Sequence, residues 1–319
     1  MSENGKSNGF GARGGPDDSG HGNGHGHANG NGHGNGHGHG VQGKKNGLPG
    51  NGADRVPSRV IIQAGGRGTR LQPYTTVLPK PLMPVLDYPI LEIMIRQLVA
   101  QGFPRITITL GHLGHLIMAV VGDGRQWGAD VDYVREDQPR GTIGAITLVK
   151  ELDQPFLVMN GDLLTDFDYQ AFARNHVASG AQLSVGIYHK EVAISLGVFE
   201  LATDQRIVGF REKPTLFFPC SMGIYAMNPA LLELIPKGEN FGFDDLMVLC
   251  LSRNIRVCAH PFNGLWLDIG RPEDYADATR LFHEHRARLL PEHHGAAAMA
   301  ARTLHRHRTL SDAKNAPRL

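Results

Sequence analysis

Cysteine is nearly missing from this chain of 319 residues. Three thiols, Cys220, Cys250 and Cys258, are too few and too irregularly spaced for a disulfide framework or a thiolate metal site. A reducing, cytoplasmic setting is therefore expected. No apolar run approaches the ~18 residues that a membrane span requires, so no membrane partner is expected. The opening residues, Met1 to Lys6, are polar, and no secretory leader is expected. An excess of charge is lacking too. The formal net charge of +1 argues against a nucleic-acid partner held by bulk electrostatics. What remains, 41% apolar and 20% charged, is an ordinary globular composition. The length allows one large domain or two small ones.

The average conceals an uneven distribution. Nearly half of the 41 glycines precede Arg59, and Gly20 to Gly40 is almost wholly Gly, His and Asn. Such a stretch buries too little apolar area to offset chain entropy, so 1–57 reads as a disordered tail. Its histidines could hold nickel or zinc weakly, or the segment could serve as a flexible arm. Residues 283–319 carry further histidines, a basic excess and a small-residue patch at Gly295 to Ala301; they read as a basic, partly disordered tail. Between them, over 58–282, acids outnumber bases. That balance suits either a solvated acidic surface or a core that holds divalent cations.

Strand and helix patterns alternate in the first half of 58–282. Arg59 to Gln63 reads as a short buried strand, and Ile90, Leu91, Met94, Ile95, Leu98 and Val99 recur at helical spacing up to Gly102. Strands are expected at Arg105 to Leu110, Val131 to Glu136 and Pro155 to Met159, and helices at His112 to Val121 and Asp168 to Ser179. From Gln182 strands dominate, at 182–188, 197–201, 206–212 and 221–227, with short helices near 229–235 and 244–251. A strand near 265–267 leads into a helix begun by Pro272. The fold class expected is α/β: a Rossmann-like sheet, mainly parallel or mixed, flanked by helices. Ligands in such folds sit at the carboxyl ends of the strands.

The first strand runs into Ala64-Gly65-Gly66-Arg67-Gly68-Thr69-Arg70-Leu71. Glycines let backbone N–H groups approach an anion, and Arg70 adds a fork of donors. Leu71 stands where a dinucleotide fingerprint needs glycine, and the Gly-Lys-Ser/Thr ending of a Walker loop is absent. The loop is thus an anion cradle of another kind or a plain glycine turn. Pro79-Lys80-Pro81 presents an ammonium from a stiff loop. Two more strand ends carry acids, Asn160-Gly161-Asp162 and Asp268-Ile269-Gly270. Each acid could cap a helix. As a pair above a phosphate loop they suit magnesium, which prefers one or two carboxylates plus phosphates and water.

These runs, together with Glu212-Lys213-Pro214, Gly223-Ile224-Tyr225 and Trp266-Leu267-Asp268-Ile269-Gly270, resemble in order and spacing the signature of sugar-1-phosphate nucleotidyltransferases. Gly141-Thr142-Ile143-Gly144-Ala145 and the Trp-Leu-Asp-Ile-Gly run look most like the mannose-1-phosphate guanylyltransferase branch. The resemblance implies a catalytic domain over 58–282; hexapeptide repeats are lacking after 282, so no left-handed β-helix domain is expected there. It also implies roles for named residues. Ala64, Gly65, Gly66, Arg67, Gly68 and Thr69 would wrap the nucleotide phosphates, with Arg70 on the β/γ-phosphates and Lys80 on phosphate at the reacting side. Glu136, Gly141 and Thr142 would line the base pocket. Asn160, Gly197 and Glu212 would hold the sugar, and Lys213 its 1-phosphate. Asp162 and Asp268 would hold Mg2+. Gln63 departs from the aliphatic residue, usually Leu, of the family.

The implied reaction joins two anions: a sugar 1-phosphate oxygen attacks the α-phosphorus of a nucleoside triphosphate. The nucleophile is already ionised, so alignment and charge neutralisation are the whole task. GTP with mannose 1-phosphate or a heptose 1-phosphate comes first in the expected order. The alternatives are dTTP, UTP or CTP with glucose 1-phosphate, or a catalytically silent regulatory homologue. A nicotinamide dehydrogenase is weakened by Leu71 and the paired acids. A homodimer or higher homo-oligomer is expected by analogy.

Overall fold

The structure, a computed structural model, describes residues 56–291. Residues 1–55 of the N-terminal tail expected at 1–57, and most of the C-terminal one expected at 283–319, lie outside the described residues; Pro57 is buried. The elements run β1 (Arg59–Ala64), β2 (Pro84–Val85), β3 (Tyr88–Pro89), α1 (Ile90–Ala100), β4 (Arg105–Leu110), α2 (Gly114–Val121), β5 (Asp130–Arg135), α3 (Gly141–Gly144) and β6 (Phe156–Asn160). There follow β7 (Leu163–Thr165), α4 (Tyr169–Ser179), β8 (Leu183–Ala193), β9 (Val198–Leu201), β10 (Ile207–Arg211), β11 (Thr215–Met227), α5 (Phe243–Ser252), β12 (Val257–Phe262), β13 (Trp266–Asp268) and α6 (Pro272–Leu289).

Seven strands form one mixed sheet in the order β12-β8-β11-β6-β1-β4-β5. The block β6-β1-β4-β5 is parallel, and β11 runs antiparallel to both of its neighbours. Val60, Ile61 and Ile62 are fully buried, as a central strand covered on both faces requires. Side chains alternate across the sheet. Val60 and Ile62 therefore join one apolar cluster, with Leu91, Ile117, Phe172 and Phe282 of the helices. Ile61 joins the other, with Ile143 and Leu246.

Local chemistry sets the helix ends. Asp168 Oδ1 accepts from the Ala171 N–H at 2.7 Å, and Gly180 closes α4 with a left-handed φ of 63°. Helix α6 extends beyond the boundary expected at 282. Leu289 is buried, and its carbonyl accepts from Gln97 Nε2 at 2.7 Å.

The sequence pattern does not mark β2, β3, β7, β12 or the outer ends of β8 and β11, and two of these segments carry proline into the seven-stranded sheet. Pro261 lies in β12, at the edge of the sheet. Pro219 lies in the outer half of β11, where β8 alone is paired, because β6 pairs only with Ile224 to Met227. An imino nitrogen is tolerated where one side of the strand has no neighbour.

One polar network is sealed in the core. His176 is buried; its Nε2 donates to Asn228 Oδ1 at 3.3 Å and its Nδ1 accepts from the Ser184 hydroxyl at 2.8 Å. Asn228 Nδ2 donates to the Ala181 carbonyl, which fixes the amide's orientation and hence the neutral imidazole tautomer. Burial lowers the pKa of His176 below its ordinary value. The unfolded chain therefore binds the proton more readily, and stability falls as pH drops through the ordinary histidine range. We predict a lower urea midpoint at pH 5.5 than at pH 7.5, and a smaller difference in His176→Gln. An equal difference in both proteins would remove this role.

Candidate functional site

A cleft of about 780 Å³ opens at the carboxyl ends of β1, β4, β5 and β6. Its floor is the turn that leaves β1. Gly68 sits at φ 61°, a conformation that glycine adopts without steric cost. Its carbonyl accepts from the Leu71 N–H at 2.9 Å and from the Thr75 hydroxyl at 2.8 Å. Leu71, which stands in the position a dinucleotide fingerprint reserves for glycine, is buried and anchors the turn.

Each neighbouring strand delivers residues to this turn. After β4, Gly111 lies against Gly65: a Cβ on Gly111 would fall 2.5 Å from the Gly65 oxygen. After β5, Glu136 Oε2 accepts from the Arg140 N–H at 2.8 Å, while Oε1 lies beside Gly65. Burial raises the Glu136 carboxyl above its ordinary pKa, against the opposing effect of Arg140. After β6, the Gly161 N–H donates to the Gln63 oxygen at 2.9 Å. The Gln63 side-chain amide reaches across the cleft and donates to the Thr142 carbonyl.

Asp162 and Asp268 are brought together by strand pairing. β7 and β13 run antiparallel with Leu163 opposite Asp268, and the Ile269 N–H donates to the Asp162 carbonyl at 3.1 Å. Lys80 stands between the acids. Its ammonium donates to Asp162 Oδ2 and lies 3.6 Å from Asp268 Oδ1. Burial raises the Asp162 carboxyl above its ordinary range; Lys80 opposes this and Asp268 adds to it. The other oxygen of Asp162, Oδ1, is buried with no hydrogen-bond partner. A hard oxygen donor left unpaired beside a second carboxylate fits a divalent cation that takes its remaining ligands from phosphate and water. Among the described residues no group of three or more acidic, histidine or cysteine side chains could hold a metal by itself. Arg70 faces the same quarter, with a guanidinium nitrogen 3.5 Å from where a Cβ on Gly270 would stand.

The cleft wall thus gathers Ala64, Gly65, Gly66, Arg67, Gly68, Thr69, Arg70, Lys80, Glu136, Gly141, Thr142, Asn160 and Asp162 from the sequence expectations. Asp268 is not part of that wall and adjoins it through Lys80; nor does the wall include Gly197, Glu212 or Lys213. Those three belong to the antiparallel arm beyond the sheet. There a Cβ on Gly197 would lie 3.3 Å from Glu212 Oε2. The Lys213 side chain, 68% exposed, stands 3.8 Å from Glu212. The sequence reading missed Gly111, Arg135, Asp137 and Arg140, which also line the cleft. Gly111 directly follows a buried strand, the same signal that singled out Gly65.

The chain matches the family described as nucleotidyl transferase over residues 59–285. It is 28% identical over 242 residues to a UTP–glucose-1-phosphate uridylyltransferase of Synechocystis, covering 70% of this chain and 62% of that enzyme. It is 27% identical over 244 residues to mannose-1-phosphate guanyltransferase beta-B of Xenopus laevis, covering 72% and 68%. The chain therefore spans less than two thirds of the Synechocystis enzyme's length. Among solved structures, HddC from Yersinia pseudotuberculosis complexed with GMP-PN is 26% identical, with a TM-score of 0.54 over 70% of this chain and 99% of that one.

The close approach of Gly111 to Gly65 is open to test. Gly111→Ala should drive a methyl group into backbone and lower stability by about 1–3 kcal/mol. Gly66→Ala should not, because a Cβ there would meet nothing within 4 Å. Urea midpoints that fall for Gly111→Ala alone are expected; equal midpoints for both variants would contradict the packing.

Proposed function

This chain belongs to the nucleotidyl transferase family, and from that premise we propose that it transfers a nucleotidyl group from GTP to mannose 1-phosphate or a heptose 1-phosphate, releasing pyrophosphate. The observation that carries the reaction class is the position of Lys80 between Asp162 and Asp268, beside a glycine turn that ends a buried strand.

An oxygen of the sugar 1-phosphate attacks the α-phosphorus, and a new P–O bond forms there. The bond from the α-phosphorus to the bridging oxygen breaks, and pyrophosphate leaves with that electron pair. The nucleophile carries its charge already, so no side chain need remove a proton. In this reading the N–H groups from Gly65 to Thr69 bind the triphosphate, and Arg70 and Lys80 offset its charge. Asp162 and Asp268 would hold magnesium, which when bound neutralises phosphate oxygens and assists departure of the pyrophosphate. Asn160, Gly197 and Glu212 would take the sugar hydroxyls and Lys213 the 1-phosphate.

Glu136 supports guanine as the base. A carboxylate only accepts hydrogen bonds. Guanine alone among the common bases sets a ring N–H beside an exocyclic NH2, two adjacent donors for one carboxylate. Uracil and thymine present a single N–H between two carbonyl oxygens, which an anion repels. The likeness to HddC solved with GMP-PN points the same way. The likeness to the Synechocystis uridylyltransferase favours the second reading, UTP with glucose 1-phosphate.

Pyrophosphate release, measured for four nucleoside triphosphates against several sugar 1-phosphates, tests the reading. GTP with mannose 1-phosphate or a heptose 1-phosphate should turn over fastest. Asp162→Ala and Asp268→Ala should each lose at least about a hundredfold in turnover. Near-normal release by either variant with magnesium present would end the metal assignment. No release with any pair would end the reading altogether. Glu136→Gln should lower kcat/KM for GTP by about ten- to a hundredfold and improve UTP or dTTP relative to it. An unchanged preference would remove Glu136 from base selection.

A further inference from the structure

Four arginines line the cleft, and one differs from the others. Arg67, Arg70 and Arg135 are exposed, while Arg140 is half-buried. The Arg140 Nε is buried without a hydrogen-bond partner, and among the described residues its guanidinium enters no ion pair. The two terminal nitrogens also lack a protein partner, but they are open rather than sealed. A buried donor left unpaired is costly, and it points to a partner that the protein does not itself supply. The backbone on either side of this residue is fixed. The Arg140 N–H donates to Glu136 Oε2 at 2.8 Å, and the Arg140 carbonyl accepts from the Phe241 N–H at 2.9 Å. Gly141 follows at φ 78°, packed so closely that a Cβ would fall 2.5 Å from the Phe241 oxygen. That oxygen accepts from the N–H groups of Ile143 and Gly144, each at 3.2 Å. None of these bonds uses the Arg140 side chain. Its charge acts on the Glu136 carboxyl, yet the two side chains do not pair. A guanidinium and a carboxylate thus stand near each other in one wall, each with its charge unspent.

We propose that the Arg140 guanidinium reads the O6 and N7 acceptors of guanine while Glu136 takes the donors at N1 and N2. This rests on GTP as the nucleotide and adds the residue that selects it. Guanine presents two acceptors followed at once by two donors, and a guanidinium beside a carboxylate is the complement of that edge. The planar fork of arginine donates two parallel hydrogen bonds and needs two adjacent acceptors. Adenine sets an NH2 group beside N7, and thymine a methyl group beside O4. Neither can take both bonds. A phosphate would also suit the fork, but a phosphate at this place would meet the Glu136 carboxylate, and like charges repel. The glycine turn with Arg70 and Lys80 offers phosphate a position without that penalty.

The test reads binding rather than turnover: titration calorimetry of the full chain with magnesium and no sugar phosphate. The parent chain should bind GTP about tenfold more tightly than 7-deaza-GTP, in which N7 is replaced by C–H. In Arg140→Met that difference should vanish, with GTP itself weakened by about ten- to a hundredfold. Inosine triphosphate keeps O6 and N7 but lacks the N2 amino group. It should lose as much affinity as GTP does on Arg140→Met, which separates Arg140 from Glu136. A parent chain that prefers GTP to UTP but binds 7-deaza-GTP equally well would overturn this proposal alone, and that result needs no variant to fold. An equal loss of GTP and UTP in Arg140→Met would mark a phosphate contact and overturn it too. A parent chain that prefers UTP to GTP would overturn the guanine reading and this proposal together.

Discussion

One ammonium between two carboxylates organises this site. A buried Asp162 beside Asp268 is unfavourable twice over, through lost hydration and through repulsion of like charges. Lys80 removes much of both costs, since it meets Asp162 directly and lies 3.6 Å from Asp268. Removing one partner from such a cluster leaves an uncompensated charge, which is why these three residues depend on one another. The cluster still carries one net negative charge, while Arg67, Arg70, Arg135 and Arg140 line the same cleft. A cleft of that kind can accept a highly charged anion and a cation together, as the proposed reaction requires.

The backbone does the positioning. Asp162 follows β6, the central strand of the seven and the edge of the parallel block. Asp268 ends β13, more than a hundred residues later in the chain. What joins them is the short antiparallel pairing of β7 with β13 and the Ile269 N–H bonded to the Asp162 carbonyl. Lys80 enters from a turn of one helical residue triplet, Lys80–Leu82, between prolines that leave its backbone little freedom. Main-chain hydrogen bonds thus join the two acidic segments, and the Lys80 side chain bridges them from a third.

Much of this was legible in the sequence, and the reasons are local. A buried strand announces itself as an apolar run, and the residues just past it are where ligands bind in a parallel sheet. That rule found Gly65, Asp162 and Asp268, and applied consistently would have found Gly111 after Arg105–Leu110. The strands with Pro219 and Pro261 were not legible, because proline argues against a strand unless the topology shows one free side. Arg135 and Arg140 were not legible either. A charged residue near a loop looks the same in sequence whether it faces solvent or a cleft. Nor does any local pattern show that the ribbon carrying Gly197, Glu212 and Lys213 leaves the sheet where β6 ends.

Lys213 is the sharpest case of a residue whose environment works against its conformation. Its φ is 43°, in the left-handed region, and it is not glycine. Such a residue costs on the order of 1–3 kcal/mol. The following Pro214 adds to the conflict, since a residue before proline is steered toward extended backbone. Glycine would relieve the strain but would forfeit the ammonium. Strained residues persist where their surroundings hold them, and here the Ile194 N–H bonded to the Pro214 carbonyl at 3.0 Å closes the turn from the other strand. The chain therefore spends stability to keep a cation next to Glu212 at the base of an apolar arm. That placement is hard to explain as packing, because the Lys213 side chain is mostly exposed. It is readily explained if the turn exists to present charge, which is the role the proposed reaction assigns to it.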